Sequence, residues 1–323
     1  MKIVVIGGGV AAHEAAVAAR TAAPEAEIAI LSEEKLRPYR RPMLSGLLVG
    51  KVPDERAFFI KPREFYSDNR IDLRLETSVA AIRSGAVELA DGVKLPFDRL
   101  IVATGGRAVM PPLPVAPRAP VFTLRNYMDL LKIHAFLPEC RRVAVIGGGV
   151  LGLEIADSLL KRNLEVTVLE RGERLFAGKL APDDAAGLLE RLNLIPGLAV
   201  RCGVSAAGIG RAGVLGESGE LFAADAVICA AGSKPDVALA EEAGIGIGRG
   251  IVADERMRTN VPDIFVAGDA AEFSGRPFGL YLDAVATGRV AGTNAAGGDA
   301  VYAPAAPTPI RLNALGERLV FGG

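Results

Sequence analysis

Sulfur and imidazole are scarce in this chain: its 323 residues include three cysteines, two histidines and no tryptophan. Cys140, Cys202 and Cys229 are odd in number, and no two of them stand at CxxC or CxxxxC spacing. That argues against a disulfide framework, a zinc site or a redox-active dithiol, and for a reducing, cytoplasmic setting. Cys229, inside the apolar run AVICAAG, reads as a buried strand residue. With only His13 and His134 available, a histidine triad or metal cluster is nearly excluded, so no metal ligands are expected.

Long apolar runs are missing too. Half of the residues are hydrophobic, yet no run reaches the roughly 18 residues that suggest a membrane span. The opening MKIVVIGGGV breaks at three glycines, and the next helix contains His13 and Glu14, which argues against a secretory leader. A net charge of −1 provides no global pull towards nucleic acid or a membrane surface.

Glycine, by contrast, is placed with purpose. Residues 142–170 read as strand, glycine turn, helix, strand and then an acidic residue. The same grammar opens the chain, with the two turns at Gly7 and Gly147. One such fingerprint is a weak signal; two in their strand–turn–helix context are a strong one. In each, the first glycine permits the tight turn and the second (Gly9, Gly149) removes the side chain that would block a pyrophosphate. The third position (Ala12, Gly152) lets helix and strand pack closely. The helix N-terminus then faces the phosphates.

The acidic residues that follow differ in their spacing. Glu33 stands 26 residues after Gly7, beyond the spacing of about 20 expected for a carboxylate on ribose hydroxyls, whereas Glu170 stands 23 after Gly147. A carboxylate there favours NAD over NADP, although Arg171 and Arg174 lie close enough to receive a 2′-phosphate.

Between the turns, residues 71–104 resemble a small antiparallel meander with a turn at Asp91–Gly92, ending in an apolar strand before Thr104 and Gly105. The same pattern recurs before Gly232, so the duplication extends to whole domains. The proline-rich residues 108–120 read as a linker. From Lys35 to Arg74 there are ten basic against five acidic residues, either a solvated face or a surface that steers an acidic partner. A further buried strand ends at Gly268 and Asp269, and a small-residue helix follows.

With these motifs in place, and with PYRRPMLSGLL, VFTLRNYMDLLKI and NVPDIFVAGDAAEF beside them, the chain resembles the flavoproteins with two dinucleotide-binding domains. Within that superfamily it is most similar to the NADH:rubredoxin oxidoreductases, ferredoxin reductases and nitrite-reductase flavin modules. The resemblance implies an α/β fold of two Rossmann-like domains of the three-layer ββα type. It places a discontinuous FAD domain at residues 1–112 and 247–310, an NAD(P)H domain at 113–246, and the start of a truncated or absent C-terminal interface domain at 311–323. FAD would contact Gly7, Gly9, Ala12, Glu33, Arg41, Pro42, Thr104, Gly105, Arg125, Gly268 and Asp269. NADH, rather than NADPH, would contact Gly147, Gly149, Gly152, Glu170 and Gly232, with Glu154 near the nicotinamide. Glu154 and Arg41 are the expected catalytic residues.

Many relatives have a lysine after the RPxLS motif, where this chain has Gly46. The implied activity is hydride transfer from NADH to FAD and onward electron transfer to a small acidic carrier of rubredoxin or ferredoxin type, by a monomer or weak dimer. Alternatives are an O₂-using NADH oxidase, a nitrite-reductase flavin module, or an NADH-responsive flavoprotein of the apoptosis-inducing-factor type. The missing cysteines argue against the disulfide-reductase branch, and Ser45 is a poor substitute for a redox thiol.

Overall fold

The computed structural model describes residues 1–50, 54–303 and 310–321. Two compact units organise them: residues 1–40, 54–107 and 233–303 form one, and 41–50, 108–232 and 310–321 the other. Each is built round a five-stranded parallel sheet. The first sheet runs in the order Ile264–Val266, Arg99–Val102, Lys2–Ile6, Glu27–Leu31, Ile71–Arg74. The second runs Val121–Thr123, Ala226–Cys229, Arg142–Ile146, Glu165–Leu169, Leu198–Arg201. Both are Rossmann-like, with KIVVI and RVAVI at their centres. Four consecutive residues of each central strand are buried, as expected of a strand covered on both faces.

In the first unit the helix Val10–Ala22 packs on the helix Tyr281–Ala295 along a seam of alanine and glycine. A Cβ added at Gly288 would lie 2.5 Å from the Ala11 carbonyl oxygen, and one at Gly292 only 2.0 Å from that of Ala15. The small residues therefore set how closely these helices approach. The meander Val79–Arg83, Ala86–Leu89, Lys94–Pro96 adds Ile82, Val87 and Leu89 to the same core.

The second unit repeats the layering. A second meander, Ala206–Gly210, Gly213–Gly216, Leu221–Ala223, provides Ile209, Val214 and Phe222, towards which alternation along Arg142–Ile146 turns Ala144 and Ile146, while Val145 faces Gly152 on the helix Val150–Leu160.

Three expectations are revised. Residues 108–120 do not run free as a linker. Ala116 N–H donates to the Ile209 carbonyl (2.8 Å), and Ile209 N–H donates to that of Pro114 (2.9 Å). The segment extends the meander edge, the one place in a sheet where its prolines are tolerated.

The compact units divide at 107/108 and 232/233 rather than at 112/113 and 246/247. Asp236 is tied to Gly105, and Ala240 and Ile245 pack in the first core. Residues 41–50, expected with the first unit, group with the second. The helix Leu44–Leu47 packs there on Val150–Leu160, with His134 Nε2 3.0 Å from the Leu47 carbonyl.

The hairpin Ile310–Ala314, Glu317–Phe321 also belongs to the second unit. It is held by Leu315 N–H to Asp157 Oδ1 (3.1 Å) and by Arg191 Nε to Glu317 Oε1 (2.7 Å). Residues 304–309 and 322–323, at the ends of the expected final domains, lie outside the described residues, as does Lys51 of the basic stretch. Among the described residues no helix is long and apolar enough to cross a membrane.

Candidate dinucleotide sites

In the second unit the glycines divide their work as the fingerprint requires. Gly147 has φ +113°, and a Cβ on it would meet the Ala230 carbonyl oxygen at 2.5 Å. A Cβ on Gly152 would sit 1.9 Å from the Gly147 carbonyl oxygen, so helix and turn pack backbone to backbone. Around Gly149 the opposite holds: a Cβ would meet nothing within 4 Å. Gly149 begins the helix Val150–Leu160 with no side-chain cap, so the first N–H groups of the helix face an open cradle.

At the end of the neighbouring strand Glu170 is fixed at both oxygens. Gly148 N–H donates to Oε2 and Gly172 N–H to Oε1, each at 2.7 Å. Each oxygen keeps a lone pair for a ribose hydroxyl. Gly232 follows the strand Ala226–Cys229 with φ +102°.

The first unit has the same frame with different fittings. Gly7 has φ +137°, with the Ala103 carbonyl oxygen 2.1 Å from a would-be Cβ, and Ala12 is fully buried. Gly9 begins the helix Val10–Ala22, again without a side-chain cap. Gly7 N–H bonds the Leu31 carbonyl as Gly147 N–H bonds that of Leu169, both at 2.8 Å. The residue in register with Glu170 is therefore Ser32, which is buried against Gly8 and accepts the Glu34 N–H through its hydroxyl. Glu33 stands one residue further on, exposed.

Thr104 donates its hydroxyl to the Asp236 carbonyl (2.7 Å), and Gly105 takes φ +75°. Gly268, at φ +71°, begins the turn that holds Asp269. Its N–H donates to Thr287 Oγ1 (2.9 Å), and that hydroxyl donates onward to the Asp283 carbonyl (2.7 Å). Thr287, buried in the last helix, thus pins the Asp269 turn. Sequence reading passed over it because the helix signals only tight packing.

Gly7, Glu33, Thr104, Gly105, Gly268 and Asp269 all stand at or just beyond carboxyl ends of the first sheet. Gly147, Glu170, Gly232 and Arg125 do the same on the second sheet. Ligands of open α/β sheets bind at such ends. Arg41, expected in the FAD domain, lies in the second unit beside Arg125, expected to reach FAD from outside that domain, with Arg41 Nη1 donating to the Arg125 carbonyl (3.1 Å). Pro42 accompanies them. Glu154 also lies here, accepting a hydrogen bond from Ser45 Oγ at 2.7 Å. Burial pushes its pKa upward, the Ser45 bond opposes that shift, and Asp157 reinforces it.

None of the cysteines has the character of a thiolate. Burial pushes Cys140 and Cys229 up to about 11, and it raises Cys202 as well. His13 is buried against Tyr66 (Nδ1 to hydroxyl 3.1 Å), and burial lowers its pKa to about 4, leaving a neutral packing residue. The basic excess from Lys35 to Arg74 is partly offset by acids outside the stretch: Lys35 pairs with Glu76 and Arg70 with Glu25.

Known proteins share this arrangement. Rhodocoxin reductase of Rhodococcus erythropolis is 34% identical over 84% of this chain and 65% of its own length. Rubredoxin-NAD(+) reductase of Pseudomonas putida is 34% identical over 84% of this chain and 72% of its own. The crystal structure of NADH:rubredoxin oxidoreductase from Clostridium acetobutylicum superposes with a TM-score of 0.86 at 30% identity, covering 99% of this chain and 81% of that one. The chain thus spans about two thirds to four fifths of these relatives. Residues 1–296 match the family profile for pyridine nucleotide-disulphide oxidoreductases. With two uncapped glycine turns on two parallel sheets, the chain belongs to the pyridine nucleotide-disulphide oxidoreductase family.

Proposed function

We propose that this protein is an FAD-dependent NADH oxidoreductase that serves a small acidic redox carrier of rubredoxin or ferredoxin type. The observation that carries the reading is the doubled, uncapped glycine turn in a chain whose three cysteines stand apart from one another, each with its thiol pKa raised by burial. Disulfide chemistry needs a low-pKa thiol, and electron transfer to a carrier does not.

The residues fit the two nucleotides. In the first unit the N-terminus of the helix after Gly9 would hold the FAD pyrophosphate, Glu33 the ribose, and Asp269 the ribityl chain. In the second, the Gly149 cradle would hold the NADH pyrophosphate and Glu170 the adenosine ribose. A carboxylate braced by two N–H groups also repels a 2′-phosphate, which sets the preference for NADH. Bound FAD would supply the chemistry of accepting a hydride and releasing electrons singly. The chain's own residues orient the two nucleotides and place charge: the start of the helix Tyr281–Ala295 provides a positive dipole end.

The relatives named as rubredoxin and rhodocoxin reductases support a one-electron carrier as acceptor. The test is steady-state oxidation of NADH by the FAD-loaded protein with rubredoxin, ferredoxin or O₂ as acceptor. Turnover with a carrier at least tenfold above that with O₂ is expected. Equal or faster turnover with O₂ alone would replace the carrier reading with an oxidase.

A further inference from the structure

The second unit contains a carboxyl that its glycine cradle does not require. Glu154 opens the second turn of the helix Val150–Leu160, about 6 Å along the axis from its first residue. It is half-buried, and among the described residues no lysine or arginine pairs with it. Its partner is Ser45, 4% exposed, whose hydroxyl donates to Oε2 at 2.7 Å. Ser45 belongs to Leu44–Leu47, more than one hundred residues away in sequence, so this bond exists only through tertiary packing. Beside it, Gly46 has open space where a Cβ would stand. No larger side chain at that position supports the carboxyl.

A half-buried carboxylate without a cation depends on its hydrogen bond for both position and charge. A nicotinamide ring becomes positively charged when NADH is converted to NAD⁺, and a fixed negative group beside it favours that change. Glu170 marks the adenosine end of the proposed nucleotide and Gly149 its pyrophosphate, leaving Glu154 as the carboxyl available to the remaining end. We propose that Ser45 is a positioning residue that holds the Glu154 carboxylate for the nicotinamide end of the dinucleotide. This rests on the NADH reading of the second unit.

The consequence is a division of labour along one ligand. Glu170 and the glycine cradle hold the adenosine diphosphate portion, while Ser45 and Glu154 act only on what lies beyond it. A hydrogen bond to a charged group carries enough energy to change affinity about tenfold.

The test uses the FAD-loaded full chain and three probes titrated at pH 8: NAD⁺, NADH and ADP-ribose, which lacks the nicotinamide. Ser45→Ala is expected to weaken NAD⁺ about tenfold, NADH less, and ADP-ribose not at all. Glu154→Gln should reproduce that order, and the double variant should be no weaker than Glu154→Gln alone. Equal weakening of all three probes by Ser45→Ala would overturn the proposal, because it would mark a structural role. So would unchanged binding of all three, which leaves the NADH reading standing. If the parent protein binds neither NAD⁺ nor ADP-ribose, the NADH reading itself fails, and this inference with it.

Discussion

The two glycine turns are built on one frame and end in different fittings. Four strands of each sheet run in the same order, and both turns bond to the last residue of the neighbouring strand. One residue later they part. The second unit has Glu170 there, held by two backbone N–H groups, while the first has buried Ser32 and carries its acid one position further out. The fifth strand differs as well. In the second unit it precedes the fingerprint (Val121–Thr123), and in the first it follows far downstream (Ile264–Val266). The two units share the glycine turn and differ in the residue that follows the neighbouring strand.

The largest expected effect comes from the glycine whose neighbours leave no room. Gly152→Ala puts a Cβ 1.9 Å from a backbone oxygen and should destabilise the protein by about 3 kcal/mol in urea unfolding. Gly149→Ala has open space and should stay within about 1 kcal/mol of the parent. Its NADH affinity should nevertheless fall about a hundredfold by direct titration, since the added methyl enters the phosphate cradle. A stable Gly152→Ala, or a Gly149→Ala that binds normally, breaks the assignment of roles.

Next in size is the difference between the two acids. Glu170→Ala should lower the NADH-to-NADPH ratio of kcat/KM by about thirtyfold, because the barrier to a 2′-phosphate goes with the carboxylate. Glu33→Ala should leave that ratio alone and instead weaken FAD about tenfold. An unchanged ratio in the Glu170 variant would show that another group reads the cofactor.

The smallest effect is thermodynamic and has a sign. Burial raises the folded-state pKa of Glu154 above the usual 4.5. Its contribution to stability is therefore fully present below about pH 4.5 and is lost as pH rises through the folded value. Glu154→Gln should melt above the parent at pH 7, with the gap closing towards pH 4. A variant less stable than the parent at pH 7 would contradict this.

Much of this frame was legible in the residues. KIVVI and RVAVI could only be doubly covered strands, and the turns after them follow local rules of φ and volume. The allegiance of residues 41–50 was not legible, because it depends on Leu44–Leu47 finding the helix that carries Glu154. Residues 108–120 misled through composition: prolines mark an edge as readily as a linker. Ser45 and Thr287 carry no signature either, since a hydroxyl gains its role from the partner that packing gives it. Glu33 stood out as the acid after the second strand although its spacing ran long, and that count could not reveal that Ser32 holds the register of Glu170.

The central claim is that this chain takes hydride from NADH onto bound FAD. Anaerobic rapid mixing of the FAD-loaded protein with NADH, followed at the visible flavin band, tests it most directly. The band should bleach within the turnover time, and more slowly with NADPH at the same concentration. A flavin that stays oxidised under excess NADH would contradict the account.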